Sequence, residues 1–249
     1  MRKGIYILPN LFTTGSMFAG FYGMIAGING DYKMAAICIL ISAVFDGLDG
    51  KVARATGTTS KFGVEYDSLA DLVAFGVAPG LIMYFWALKP FGRVGWLAAF
   101  LFVVCGALRL ARFNVQVETV ESKRFVGLPI PAAASMVSAT ILFFHHMGWP
   151  SSYAKQAIPV LIYLLAFLMV SNIKYYSFKD PELIKKQPFG FLVLAVLLLI
   201  IIAAEPAIMI FSLFCCYLLS GPVAFLFTWP RRRRLEKALH KGYESQHKG

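Results

Sequence analysis

Residues Phe45–Asp71 read FDGLDGKVARATGTTSKFGVEYDSLAD. Four aspartates, Asp46, Asp49, Asp67 and Asp71, stand here between two apolar runs of membrane-spanning character. Lipid offers an ionised side chain no partner, so an acid in a spanning segment must meet a counter-ion, a metal or a water-filled cavity. Asp46 and Asp49 are spaced i and i+3, and Asp67 and Asp71 i and i+4, so each pair shares one helix face. Gly57, Thr58, Thr59 and Ser60 form a polar turn of the kind that joins antiparallel helices. Two such helices can converge their acids. Four carboxylates so packed would repel one another, whereas divalent cations would neutralise them through hard oxygen ligands. The spacing therefore suits a two-metal site.

Composition sets the surroundings. The chain is 58% hydrophobic and 15% charged, with mean hydropathy +0.67, more apolar and less charged than ordinary soluble domains. It reads as an integral membrane protein. Cys38, Cys105, Cys215 and Cys216 all lie in apolar runs without metal-ligand or CxxC spacing, so neither a zinc site nor a disulfide framework is expected. The net charge of +11 would suit nucleic acid, but in a membrane protein the placement of the basic residues carries more information than their sum.

Apolar segments long enough for a bilayer fall at about 8–28, 33–54, 63–88, 95–112, 127–147, 156–173, 188–204 and 207–228. The expectation is an all-α, polytopic helix bundle of about eight transmembrane helices. With both termini cytoplasmic, all of the 24 Lys and Arg except Lys33, Lys89, Arg93 and Lys155 lie at cytoplasmic ends or loops. The charge is thus mostly topology, and no nucleic-acid partner is expected. The first apolar run is too long for a signal-peptide core and is expected to stay as an anchor. Residues 1–230 read as a single transmembrane domain, with a core over about 5–175, two extra helices within 188–228 and a basic cytoplasmic tail at 231–249.

Met34 to Phe45 gives roughly 18 Å of helix before Asp46, against a hydrocarbon core of about 30 Å. The acids therefore belong in a cavity below the membrane surface, open to the cytoplasm. Gly50 and Gly63 flank it and either ease a helix crossing or admit a ligand against the backbone. Asn10, Thr13 and Thr14 share a polar face of the first helix, open to capping, to bonds between helices or to a ligand contact. Gly15, Ala19, Gly23 and Gly27 form a small-residue seam for close helix approach. Arg109 and Arg112, at i and i+3 before Asn114, serve either as membrane-surface anchors or as a phosphate or carboxylate clamp. Lys123, Arg124 and the breaker Gly127–Pro131 follow. His145 and His146 are expected to pack at the far interface, and Glu205 is assigned no chemistry.

Taken whole, Asp46-x2-Asp49-Gly50-x2-Ala53-Arg54-x8-Gly63-x3-Asp67-x3-Asp71 resembles the signature of the CDP-alcohol phosphatidyltransferases at every fixed position. PNLFT (Pro9–Thr13), RLARFN (Arg109–Asn114) and GLPIPAAA (Gly127–Ala134) further resemble the bacterial phosphatidylserine synthases within that family. The resemblance implies two divalent cations, Mg or Mn with Ca able to take a site, held by Asp46, Asp49, Asp67 and Asp71. It implies a CDP-binding set of Asn10, Thr13, Asp49, Gly50, Ala53, Arg54, Gly63 and Asp67, with Asp71 as general base. Arg109, Arg112, Asn114 and Lys123 become the acceptor or phosphate clamp. The substrates implied are CDP-diacylglycerol and L-serine, met among membrane lipids by a homodimer in a bacterial inner or plasma membrane, with the active site facing the cytoplasm. Another acceptor, glycerol 3-phosphate or inositol phosphate, and an archaeal ether-lipid donor stay open within the family. An ion-coupled transporter would also use intramembrane acids, but the outer halves of the spans offer no matching polar path.

Overall fold

The computed structural model describes residues 7–57, 60–117, 124–154, 157–176 and 204–225. Helix α1, Ile7–Ile28, is followed closely by α2, Tyr32–Thr56. Gly30 makes the turn at φ 85°, and the Asp31 carboxylate caps α2 by accepting from the Met34 N–H at 3.0 Å. α2 stops at Gly57, φ 64°, whose N–H turns back to the Ala53 and Arg54 carbonyls. Ser60 starts α3, Lys61–Asp71, its hydroxyl accepting from the Gly63 N–H at 3.0 Å. The expected polar turn is thus a glycine stop followed by a serine start, with Thr58 and Thr59 outside the described residues.

α3 continues unbroken through a π-helical segment, Leu72–Val77, into α4, Ala78–Met83, and on through a second π segment, Tyr84–Leu88, to a 3₁₀ turn at Lys89–Phe91. Pro79 has no N–H to return to Phe75 and its ring crowds that carbonyl, which accounts for the widened turn before it. Gly92, φ 55°, reverses the chain into α5, Gly92–Val117. The two arms lie antiparallel. Ser68 meets Asn114 at one end, Gly80 fits against Ala99 and Val103 midway, and Gly95 lies on the Leu88 backbone at the other. The apolar segment expected over about 95–112 lies within α5, which continues past Asn114 to Val117.

A two-stranded antiparallel ribbon, β1 Arg124–Val126 and β2 Lys174–Tyr176, interrupts the all-helical expectation, with Phe125 opposite Tyr175. It follows from the Gly127–Pro131 breaker: Gly127, φ 82°, donates to the Ile173 carbonyl at 2.8 Å and Leu128 to that of Leu168 at 2.9 Å. Those bonds lay the start of α6, Ile130–His146, beside the end of α7, Ala157–Val170. The last described helix, α8, is Pro206–Phe225.

Between helices in lipid the drive is close packing rather than expulsion of water. The predicted small-residue seam of α1 does this: Gly15 faces the Phe45 ring, Gly23 the Ala35 carbonyl and Cys38, and Gly27 the Ile82 side chain. Gly20, outside that seam, makes a tighter approach, since a Cβ there would come within 2.7 Å of the Ala74 Cα. Among the described residues, three stretches are long and apolar enough to cross a membrane: Pro9–Ile28, Lys61–Val115, which is the hairpin just described, and Pro206–Phe225. α6 and α7, at 17 and 14 residues, are shorter than the ~20 of a full span. The seventh expected segment, about 188–204, falls almost wholly outside the described residues, as does the tail at 231–249. Large apolar side chains such as Phe18, Phe100, Phe167 and Leu219 face outward, as lipid-facing residues do. The fold is an α-helical, membrane-type bundle.

Candidate active site

The caps that end α2 and begin α3 bring the two acid-bearing helices together, with α1 alongside. Carboxylate oxygens of Asp46, Asp49 and Asp67 all lie within 4.8 Å of one another. Asp49 is buried, Asp46 and Asp67 partly so. The Thr13 hydroxyl on α1 donates to Asp49 Oδ2 at 2.9 Å, so the polar face of α1 bonds a neighbouring helix. Thr14 lies 2.8 Å from the Tyr66 hydroxyl and donates to the Asn10 carbonyl at 2.7 Å, further tying α1 to α3. Asp67 Oδ1 is buried and, among the described residues, has no hydrogen-bond partner.

That last observation tests whether a cation fits. Three carboxylates at this separation repel, and a buried carboxylate oxygen with no donor carries an uncompensated desolvation cost. Hard, anionic oxygens from two helices are the donor set a divalent cation takes. The triad could hold a metal ion. Asp71, the fourth expected ligand, stands outside the triad, one turn further along α3. It is close enough to interact electrostatically with all three acids and with the Arg109 guanidinium.

Beside the triad is an open cleft whose walls include Asn10, Thr13, Asp49, Gly50, Ala53, Arg54, Gly63 and Asp67. The eight residues expected to bind CDP therefore line one cavity. The Arg54 side chain folds back along its own helix, so that a Cβ on Gly50 would lie 3.4 Å from its Nη1. At Gly63 a Cβ would come within 3.1 Å of Ser60 Oγ and 3.6 Å of Asn10 Oδ1. Pro9, Ser60 and Val64 also line the cleft and were not anticipated. A helix-capping serine three residues before Gly63 was a signal available for Ser60.

The residues expected to form the clamp have separate surroundings. Arg109 is buried at 7% exposure, and among the described residues its Nε has no hydrogen-bond partner. It is within electrostatic reach of Asp71 and, on α8, of Tyr217. Arg112 instead donates to Asn172 Oδ1 at 2.7 Å and to the Val170 carbonyl at 3.4 Å, joining α5 to the end of α7. Asn114 exchanges hydrogen bonds with Ser68, the residue after Asp67, at 3.0 and 3.3 Å. Lys123 lies outside the described residues. At the far end of α6, His146 Nε2 pairs with Glu205 Oε2 at 3.1 Å.

Comparison with known proteins identifies the family. The family described as CDP-alcohol phosphatidyltransferase matches residues 6–168. A Helicobacter pylori protein named CDP-diacylglycerol--serine O-phosphatidyltransferase is 42% identical over 90% of this chain and 92% of its own length. A Mycobacterium leprae protein of the same name is 33% identical over 88% of this chain and 75% of its own. The archaetidylserine synthase of Methanothermobacter thermautotrophicus is 38% identical over 68% of this chain and 69% of its own. With the aspartate signature complete within the stretch that the family matches, the chain is an enzyme of the CDP-alcohol phosphatidyltransferase family.

Proposed function

We propose that the enzyme is a phosphatidylserine synthase, transferring the phosphatidyl group of CDP-diacylglycerol to the hydroxyl of L-serine and releasing CMP. The observation that carries this is the acid triad set against a cleft lined by all eight residues expected for the CDP portion. The serine-named relatives, aligned over most of the chain, support the choice of acceptor.

Asp46, Asp49 and Asp67, joined by Asp71, would hold two divalent cations, Mg or Mn. When bound, these would neutralise the donor's diphosphate and the charge gathering on the departing CMP. Thr13 fixes the Asp49 carboxylate by its hydrogen bond, and Gly50, Ala53 and Gly63 keep the cleft wall low enough for the cytidine. Arg54 reaches a phosphate from the exposed side of α2. Asp71 takes the proton from the serine hydroxyl as that oxygen bonds to the phosphorus bearing diacylglycerol, and the bond from that phosphorus to the CMP oxygen breaks. Arg109 receives the amino acid's carboxylate beside Asp71.

The same reading places residues 1–230 in one transmembrane domain, with its core at about 5–175 and further helices within 188–228, and residues 231–249 in a basic tail. Eight spans would leave both termini and the cleft on the cytoplasmic side of a bacterial inner or plasma membrane, and the enzyme would work as a homodimer. Purified protein, CDP-diacylglycerol and Mg or Mn, offered L-serine, glycerol 3-phosphate or inositol phosphate in turn, should release CMP with serine alone. Release with another acceptor but not serine would reassign the reaction, and full turnover after exhaustive chelation would sink the metal assignment.

A further inference from the structure

A second cavity, of about 180 Å³, lies between the turn that joins α1 to α2 and the end of α6. Asp46 comes fourteen positions after Tyr32 of its wall, roughly 21 Å along α2 at the helical rise, so this cavity is separate from the acid cleft. The apolar stretch of α1 that is long enough to cross a membrane ends at Ile28, two positions before Gly30 on the cavity wall. The cavity is therefore at the depth of lipid headgroups, where Trp and Tyr gather.

Its walls carry packed rings and both signs of charge. Trp86, Phe144 and Trp149 all line it, and the Phe144 ring meets Trp86 at 5.5 Å and 86° and Trp149 at 6.1 Å and 80°, edge to face. Each indole is thus held by its neighbour. The Tyr32 hydroxyl donates to the Phe85 carbonyl at 3.2 Å, which ties the start of α2 to the residue before Trp86. Asp31 and Lys33 supply the charges, with His145 as a further polar group. Among the described residues neither Asp31 nor Lys33 is in an ion pair. Asp31 caps α2 through Oδ1 alone, which leaves Oδ2 to a ligand.

We propose that this cavity binds the headgroup of an amine-bearing, zwitterionic phospholipid, its ammonium held by Asp31 and the aromatic wall of Trp86 and Trp149 and its phosphate by Lys33. A carboxylate together with aromatic rings recognises an organic cation, and a lysine serves a phosphate as a point charge. A headgroup bearing both groups satisfies both. The cavity is small against pockets of about 300–1,000 Å³ that enclose a whole drug-sized ligand. It takes the headgroup and leaves the acyl chains in the bilayer, against outward-facing residues such as Ile28. The site does not depend on which acceptor the enzyme uses.

The test titrates the full chain, purified in detergent, with short-chain phosphatidylethanolamine, short-chain phosphatidylglycerol and free phosphoethanolamine, each followed by calorimetry. The ethanolamine lipid should bind roughly tenfold tighter than the glycerol lipid, the worth of one hydrogen bond to a charged group. Asp31→Asn keeps a helix cap and removes the charge. It should erase that preference and leave the affinity for the glycerol lipid within about twofold of wild type. Lys33→Gln should weaken both lipids alike, by about threefold, as an exposed ion pair would. Trp149→Leu should weaken the ethanolamine lipid by roughly threefold. Tyr153→Leu should not, since Tyr153 packs on Trp149, is 74% exposed and does not line the cavity. Equal affinity of the wild type for the two lipids, a preference that survives Asp31→Asn, or equal losses in Trp149→Leu and Tyr153→Leu overturns the proposal. Free phosphoethanolamine binding as tightly as the lipid would also overturn it, by assigning the cavity to a soluble ligand.

Discussion

The Thr13 hydroxyl and Asp49 Oδ2, on different helices and thirty-six positions apart, are joined by a buried 2.9 Å hydrogen bond. Through it α1, which bears no acid of its own within the cleft, orients a proposed metal ligand of α2. Thr13→Val keeps the shape and removes the donor. The loss should be about 1–3 kcal/mol in whatever step needs that carboxylate held, seen as a roughly tenfold higher Mg or Mn requirement for turnover, with Thr13→Ser restoring most of it. A metal requirement equal to that of wild type would reduce the bond to helix packing.

Gly20 and Gly47 make opposite predictions from one substitution. At Gly20 a Cβ would fall 2.7 Å from the Ala74 Cα, so Gly20→Ala must push α1 off the π segment. The expected cost is about 1–3 kcal/mol, read as earlier thermal unfolding in detergent. At Gly47, mid-helix in α2, a Cβ would meet nothing within 4 Å. Gly47→Ala should stabilise by up to about 1 kcal/mol through helix propensity. Equal melting temperatures for the two variants would contradict the packing described.

Much of this was readable in advance because charge in lipid and helical periodicity are local signals. Asp46, Asp49 and Asp67 announce themselves by spacing alone, and the ends of α2 and α3 by Gly57 and Ser60. What escaped is what only the third dimension supplies. Gly20 looked no different from its neighbours because its partner, Ala74, is remote in sequence and lies in a turn widened by Pro79. Arg109 and Arg112 share a helix face on paper. Arg112 finds its acceptors at the end of α7, whereas the Nε of Arg109 has none among the described residues. The ribbon depends on a pairing of Phe125 with Tyr175 across α6 and α7, for which three-residue strands leave no periodic trace.

The separation of the two arginines is itself testable. Arg112 has its acceptors already, in Asn172 and the Val170 carbonyl. Arg112→Gln should therefore lower the melting temperature and reduce active yield while the KM values for serine and for CDP-diacylglycerol stay within about threefold of wild type. Arg109→Lys should do the reverse, raising the serine KM without comparable loss of stability. A serine-selective KM effect at Arg112 would return it to the clamp and leave its bonds to α7 secondary.

Asp71 differs from the other three acids by position. It lies one turn beyond Asp67, outside the 4.8 Å triad and within electrostatic reach of Arg109. Asp71→Asn preserves size and hydrogen bonding but removes the basic lone pair. If Asp71 is the general base, the variant should bind CDP-diacylglycerol with metal at near-normal affinity yet lose roughly 10²- to 10⁴-fold in kcat. Asp67→Asn, by contrast, should lose nucleotide-lipid binding and turnover together, since Asp67 is within the triad. Measuring binding and turnover on the same preparations separates the two roles. Parallel loss in Asp71→Asn would make Asp71 a metal ligand first, and near-normal turnover would remove it from proton transfer.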